Sequence, residues 1–155
     1  MRSPWLFVPP PLLFVGSFVA AVMFGRVAPL QLVPASATPF ARGLGIGVIA
    51  VAAAFIVPSI ALFIRRRTTI VPHALRARAL VAAGPFRLSR NPMYVGLALA
   101  YLGATLVANV VWPLVLFALP VAILNARVIP YEEEALARVF GDDYRAYQAR
   151  VRRWL

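Results

Sequence analysis

The placement of charge constrains this chain more than any other feature. No Asp, Glu, Lys or Arg occurs in 3–25, in 43–64 or in 91–126 of its 155 residues. A helix rises about 1.5 Å per residue, so roughly 20 apolar residues cross about 30 Å of hydrocarbon. The first two stretches each fit one transmembrane helix. The third, at 36 residues, is too long for one helix and suits a tight hairpin of two. The chain is therefore expected to be an all-α integral membrane bundle of four transmembrane helices, because hydrocarbon leaves a backbone no external hydrogen-bond partners. Composition agrees, with 62% hydrophobic and 14% charged residues against about 25% charged in soluble domains.

The net charge of +11 does not indicate a nucleic-acid partner, which would require a solvated basic face. Every basic residue is arginine, and the arginines lie between the apolar runs. Arg65, Arg66, Arg67, Arg76, Arg78, Arg87 and Arg90 share one loop, and Arg138, Arg145, Arg150, Arg152 and Arg153 lie in the tail. The 26–42 loop holds only Arg26 and Arg42. Arginine excess marks cytoplasmic segments, which puts both termini and the 65–91 loop on that side. With no cysteine, disulfides, thiolate nucleophiles and Cys-ligated metals drop out. A lone His73 cannot build a metal site, so no metal is expected. Arg2 ahead of an apolar run also fits a secretory signal, but the run is long for one and Pro9–Pro11 would interrupt it.

Helix one is expected from Pro9–Pro11 to Gly25, prolines being tolerated in a first turn. Pro4–Val8 either extends it or lies along the interface. An outer loop, 26–42, carries Pro29, Pro34 and Pro39. Helix two covers Gly43 to about Ile64, with a kink at Pro58, and Gly43, Gly45 and Gly47 open its start to close approach by a helix or a ligand. The 65–91 loop is long for so small a protein, and such loops are usually functional or disordered. It carries apolar residues, Ile70-Val71 and Ala79-Leu80-Val81, that a solvated linker would not need. Gly84-Pro85 marks a turn, and Asn91-Pro92 opens helix three as N-cap and first helical residue. A turn falls at Asn109–Pro113. Helix four starts about Trp112, with Pro130 read as its first breaker, and continues beyond the membrane through Glu132 to Phe140. Gly141 ends it, Asp142 or Asp143 caps the next piece, and Tyr144, Tyr147, Val151 and Trp154 line one face opposite Arg145, Arg152 and Arg153. Such a cytoplasmic amphipathic helix suits an anionic leaflet.

All five acidic residues lie at Glu132, Glu133, Glu134, Asp142 and Asp143. Adjacent helical residues point about 100° apart, so Glu132 and Glu133 cannot both idle on one solvated face, and at least one turns toward the arginine-rich loop. Arg90-Asn91-Pro92-Met93-Tyr94 is the second candidate. A helix start attracts anions, and a guanidinium there can grip a carboxylate at two points. A capped helix with an arginine anchor and an interfacial tyrosine would look the same.

Gly84-Pro85-Phe86-Arg87-Leu88-Ser89-Arg90-Asn91-Pro92-Met93-Tyr94-Val95-Gly96 resembles the signature loop of the isoprenylcysteine carboxyl methyltransferase family, which is related to the phospholipid N-methyltransferases. Glu132-Glu133-x-x-Leu136 followed by Phe140-Gly141-x-x-Tyr144-x-x-Tyr147 is similar to the family's C-terminal motif, and Thr68–Pro72 and Leu80-Val81 match the approach to the first block. The resemblance covers about 43–155 of a single membrane domain, with 1–42 supplying the first transmembrane helix and outer loop. It implies S-adenosylmethionine as methyl donor, lined by Arg78, Ala79, Leu80, Val81, Phe86, Asn91, Pro92, Met93, Tyr94 and Glu132, with Arg90 at the entrance. Gly45 and Gly47 resemble a glycine pair assigned to the cofactor in the phospholipid enzymes. Arg90, Glu132 and Arg127 are the candidates for a catalytic role. Two departures bear on the acceptor: Asn91 stands where many carboxyl methyltransferases have histidine, and Arg127 only loosely matches a substrate-linked arginine. The implied substrate is lipophilic, prenylated or otherwise, and enters from the bilayer, with membrane lipids as surroundings and no obligate protein partner. A nicotinamide-dependent membrane reductase and a non-enzymatic membrane protein are the alternatives.

Overall fold

The computed structural model describes residues 8–66 and 79–155. Arg78, His73, Thr68–Pro72 and Pro4–Phe7 lie outside the described residues. Among those described there are helices and no strand. Helix α1 spans Pro10–Val27 and α2 Thr38–Arg65, entered through a single 3-10 turn at Ala35–Ala37. A second 3-10 turn, Gly84–Arg87, precedes α3, Pro92–Ala108. The last helical run is α4 (Trp112–Leu116), α5 (Ala118–Ile123), a π-helical segment Leu124–Val128, and α6 (Ile129–Arg150).

Prolines explain where these boundaries differ from expectation. Helix α2 begins five residues before Gly43, because Pro39 sits in its first turn, where no N–H is needed, so the outer loop is shorter than 26–42. Pro58 is carried inside a continuous α2. In the last run Pro120 breaks the ladder before Pro130 does: lacking an N–H, it cannot bond the Leu116 carbonyl, and regular helix stops between α4 and α5. The Ile129 N–H then bonds the Leu124 carbonyl, five residues back, and this π turn takes the chain into α6.

Among the described residues three helices have the length and apolarity to cross a membrane: Pro10–Val27, Ala35–Arg65 and the run from Trp112. The fourth, α3, is apolar and shorter at 17 residues. Leu12, Val15, Phe40, Ile46, Val57, Val115 and Leu119 are exposed. In water they would form an aggregating surface; in a bilayer they meet lipid at no cost. Helices α2 and α3 run antiparallel at close range. A β-carbon on Gly45 would lie 2.6 Å from the Gly103 carbonyl oxygen, and one on Gly103 2.7 Å from the Gly45 carbonyl.

The core forms where α1, α3 and the π–α6 junction meet. Phe14, Tyr94, Tyr101, Leu124, Val128 and Ile129 are buried there, with Phe18, Phe117 and Trp154 packed against them. At the opposite end Asn109 turns left-handed (φ 51°) and exchanges hydrogen bonds with Val33, accepting from its N–H at 2.9 Å and donating to its carbonyl at 3.0 Å. That amide ties the α3–α4 turn to the outer loop.

Gly141 breaks α6 as expected, with φ 52° and ψ −122°. The piece beyond it ends at Arg150, and Val151 is extended, so Trp154 lies off the helix. Its apolar face is not free for a leaflet either: Tyr144 and Tyr147 are buried, and the Tyr147 hydroxyl donates to the Phe86 carbonyl at 2.7 Å. Asp142 caps nothing and pairs with exposed Arg145 at 2.8 Å.

Candidate active site

Three segments, the first two continuous with each other and the third distant in sequence, converge at the arginine-rich end of the bundle. The first is 79–91, the second the opening turns of α3, and the third α6 with the extended 151–154 that follows it. Pro85 and the left-handed Gly84 (φ 57°) fold the first into its 3-10 turn. This turn buries Phe86, whose ring stands edge-on to Phe63 at 5.4 Å. Val81 is buried beside it, and Ala79 and Leu80 are half-buried.

Asn91 occupies the N-cap position of α3, but its side chain does not cap. The amide nitrogen donates instead to the Arg153 carbonyl at 3.0 Å, and Ser89 Oγ donates to the same oxygen at 3.2 Å. The Arg90 N–H bonds the Arg152 carbonyl at 2.9 Å. Three consecutive residues before α3 are thus stitched to two consecutive residues after α6.

The ionic centre uses both glutamates, in different ways. Glu133 accepts Arg153 on both oxygens, from Nε at 3.2 Å and from Nη2 at 2.7 Å, and its Oε1 also lies 3.2 Å from Arg90 Nη2. Glu132 faces α3 and accepts a hydrogen bond from the Tyr94 hydroxyl. It lies beyond the apolar run, five residues past Arg127, the first charge after Trp112. Burial pushes its carboxyl up to about 7, against the Tyr94 hydrogen bond, which lowers it; the nearby charge of Glu133 raises it further. Arg90 Nε is buried and, among the described residues, without a hydrogen-bond partner, which typically costs a charged group more than about 1–3 kcal/mol.

The sequence candidates thus divide. Val81, Phe86, Arg90, Asn91, Pro92, Tyr94 and Glu132 belong to this corner, with Ala79, Leu80 and Met93 half-buried along it. Arg127 is exposed on the π segment. Gly45 and Gly47 fall outside: Gly45 is packed on Gly103, about 16 Å further along α3 than Pro92 at 1.5 Å per residue, and Gly47 is exposed, with open space where a β-carbon would stand. Close packing of two helices is what the glycine at Gly45 is for. Gly45→Ala is accordingly expected to cost about 1–3 kcal/mol by overpacking, read as a lower thermal midpoint in detergent, while the folded fraction keeps its ligand affinity. A selective loss of affinity at unchanged stability would return Gly45 to the site. Sequence reasoning missed Glu133 as the ionic hub, Arg153 as its second arginine, and Ser89 and Tyr147 as hydrogen-bonding ties to the Arg153 and Phe86 carbonyls. Arg153 had looked like a leaflet charge, and only the extended backbone after Arg150 turns it inward.

A model of the phospholipid methyltransferase family matches residues 40–143. No curated protein and no solved structure matches the chain. The matched segment takes in α2 through most of α6 and every residue of the Arg90–Tyr94 and Glu132–Glu133 corner. Since it covers roughly two thirds of the 155 residues, the chain belongs to the phospholipid methyltransferase family, relatives of the isoprenylcysteine carboxyl methyltransferases, and is a membrane methyltransferase.

Proposed function

We propose that the protein transfers a methyl group from S-adenosylmethionine to a lipophilic acceptor reaching the site from the bilayer. One observation carries this: a buried guanidinium N–H on Arg90 without a partner among the described residues, on a side chain paired with Glu133, whose neighbour on α6, Glu132, offers a carboxylate held only by the neutral Tyr94 hydroxyl. A cationic donor edge next to an anionic acceptor fits the zwitterionic amino-acid end of that donor. Arg90 would take its carboxylate, Glu132 its ammonium or sulfonium charge, and Phe86, Val81 and Leu80 its apolar parts. S-adenosylmethionine supplies, when bound, a methyl group on a positively charged sulfur. The protein then has little acid–base work to do, since displacement at such a methyl depends on alignment and exclusion of water. A carboxylate acceptor would need no base. An amine or thiol would have to lose a proton, and Glu132, the corner carboxylate with no arginine partner among the described residues, is the candidate to accept it.

Equilibrium binding to the purified protein tests the donor. S-adenosylmethionine should bind and a reduced nicotinamide dinucleotide should not, and the reverse preference would establish the reductase alternative. The active site is assigned to the cytoplasmic face, because Arg65, Arg66, Arg87, Arg90, Arg127, Arg138, Arg145, Arg150, Arg152 and Arg153 gather at its end of the bundle and, among the described residues, only Arg26 and Arg42 lie near the other. Single cysteines at exposed Ala82 and Ala149 should label from the cytoplasmic side, and one at exposed Ala35 only from the opposite side. The reverse pattern would invert the orientation.

A further inference from the structure

We infer that Arg153 is a positioning residue for the donor: through Glu133 it sets the orientation of Arg90, and through its carbonyl it sets the backbone from which Arg90 projects. The inference rests on the donor assignment made above. Arg153 lies outside residues 40–143, and two sets of contacts tie it to the site.

The first set is ionic. Glu133 is shared between two guanidiniums, but unequally. Arg153 engages both carboxylate oxygens, at 3.2 and 2.7 Å, whereas Arg90 reaches only Oε1, through Nη2 at 3.2 Å. A planar fork gripping a carboxylate at two points fixes its plane as well as its position. Arg153 therefore dictates where Glu133 presents Oε1, and Arg90 follows. The second set is backbone. The Arg153 carbonyl accepts Ser89 Oγ at 3.2 Å and Asn91 Nδ2 at 3.0 Å, while the Arg152 carbonyl accepts the Arg90 N–H at 2.9 Å. Both neighbours of Arg90 are thereby held by one oxygen of Arg153. The consequence falls on Arg90. Its single-point contact with Glu133 leaves Nε buried and unpartnered, and two guanidiniums around one carboxylate leave the cluster one positive charge in excess. An anionic group has both a free donor and net attraction at that spot, provided that Arg90 stays where Arg153 holds it.

The test compares the full-length parent with Arg153→Gln and Arg153→Lys, using S-adenosylmethionine and its decarboxylated analogue in calorimetric titrations. If Arg153 positions the arginine that takes the carboxylate, both substitutions weaken S-adenosylmethionine about tenfold, the scale of one charged hydrogen bond. The decarboxylated analogue, which does not use Arg90, weakens by less than about twofold on the same scale. Lysine fails to rescue because a point charge cannot reproduce the fork. Equal weakening of both ligands, or unchanged affinity for both, overturns the inference and leaves the donor assignment standing. If Arg153→Gln does not fold, Arg153→Lys is read alone, and failure of both to fold makes Arg153 a residue of the fold and also overturns it. A parent that does not bind S-adenosylmethionine overturns the donor assignment and this inference with it.

Discussion

Glu133→Ala is expected to lower stability by about 3 kcal/mol, the scale for breaking a buried ion pair from one side. The carboxylate side chain is only 13% exposed and that of Arg90 only 14%, so removing Glu133 leaves Arg90 charged and without its partner, while Arg153 loses both of its bonds to the carboxylate. At about 2–4 °C per kcal/mol for a domain of this size, the thermal midpoint in detergent should fall by about 6–12 °C. Glu134→Gln is the control one residue away. Glu134 pairs with Arg138 across one turn of α6, and both side chains are well exposed. Such pairs contribute about 0.2–0.5 kcal/mol, so the midpoint should barely move. High salt should remove what little Glu134 contributes and spare most of the Glu133 effect, since screening acts mainly on exposed charges. Equal losses at the two positions would mean that the acidic cluster acts as general surface charge and that the Glu133 hub is not what holds the corner together.

What the sequence reveals of this architecture follows from which forces are local. The spans were legible because the bilayer demands long charge-free runs, and 3–25, 43–64 and 91–126 meet that demand without reference to tertiary structure. Gly141 was legible because an interrupted helix followed by two acids is a local signal, and its φ of 52° bears that out. Three features depend on long-range pairing and were not. Asn91 carries the residue type of an N-cap, yet its amide finds the Arg153 carbonyl 62 positions away. Glu132 and Glu133 are equivalent in composition, and only the packing of α6 on α3 decides that one meets a tyrosine and the other two arginines. Tyr144 and Tyr147 sit at a spacing that serves a leaflet or a protein surface equally well; the 84–91 turn, which nothing in their own segment announces, claims them. Pro120 is a different case, since its effect on the Leu116 carbonyl is local and the residue itself predicts the break between α4 and α5.

Glu132→Gln is expected to weaken donor binding about 10- to 150-fold near neutral pH, the range for a lost charged hydrogen bond, and at the same pH to stabilise the protein without donor. The two effects have one cause. Burial holds the Glu132 carboxyl at about 7 in the folded protein against an ordinary 4.5. Between those values the folded state keeps a proton that the unfolded state has lost, so stability is greatest at low pH and declines as pH rises toward 7. At about 1.36 kcal/mol per pKa unit the decline amounts to about 3 kcal/mol. Glutamine cannot ionise and keeps an acceptor for the Tyr94 hydroxyl, so the variant should unfold at a higher temperature than the parent at pH 8 and at a similar one near pH 5. Donor binding runs the other way. A positively charged donor favours ionised Glu132, so affinity of the parent should fall about tenfold per pH unit below 7, and the variant should show no such slope. A donor α-amino group titrates near 8, which makes about pH 5.5 to 7.5 the informative range. A parent whose affinity is flat across it, or a variant that is less stable than the parent at pH 8, would show that Glu132 does not carry the charge that meets the donor and would reduce the Tyr94–Glu132 pair to a brace between α3 and α6.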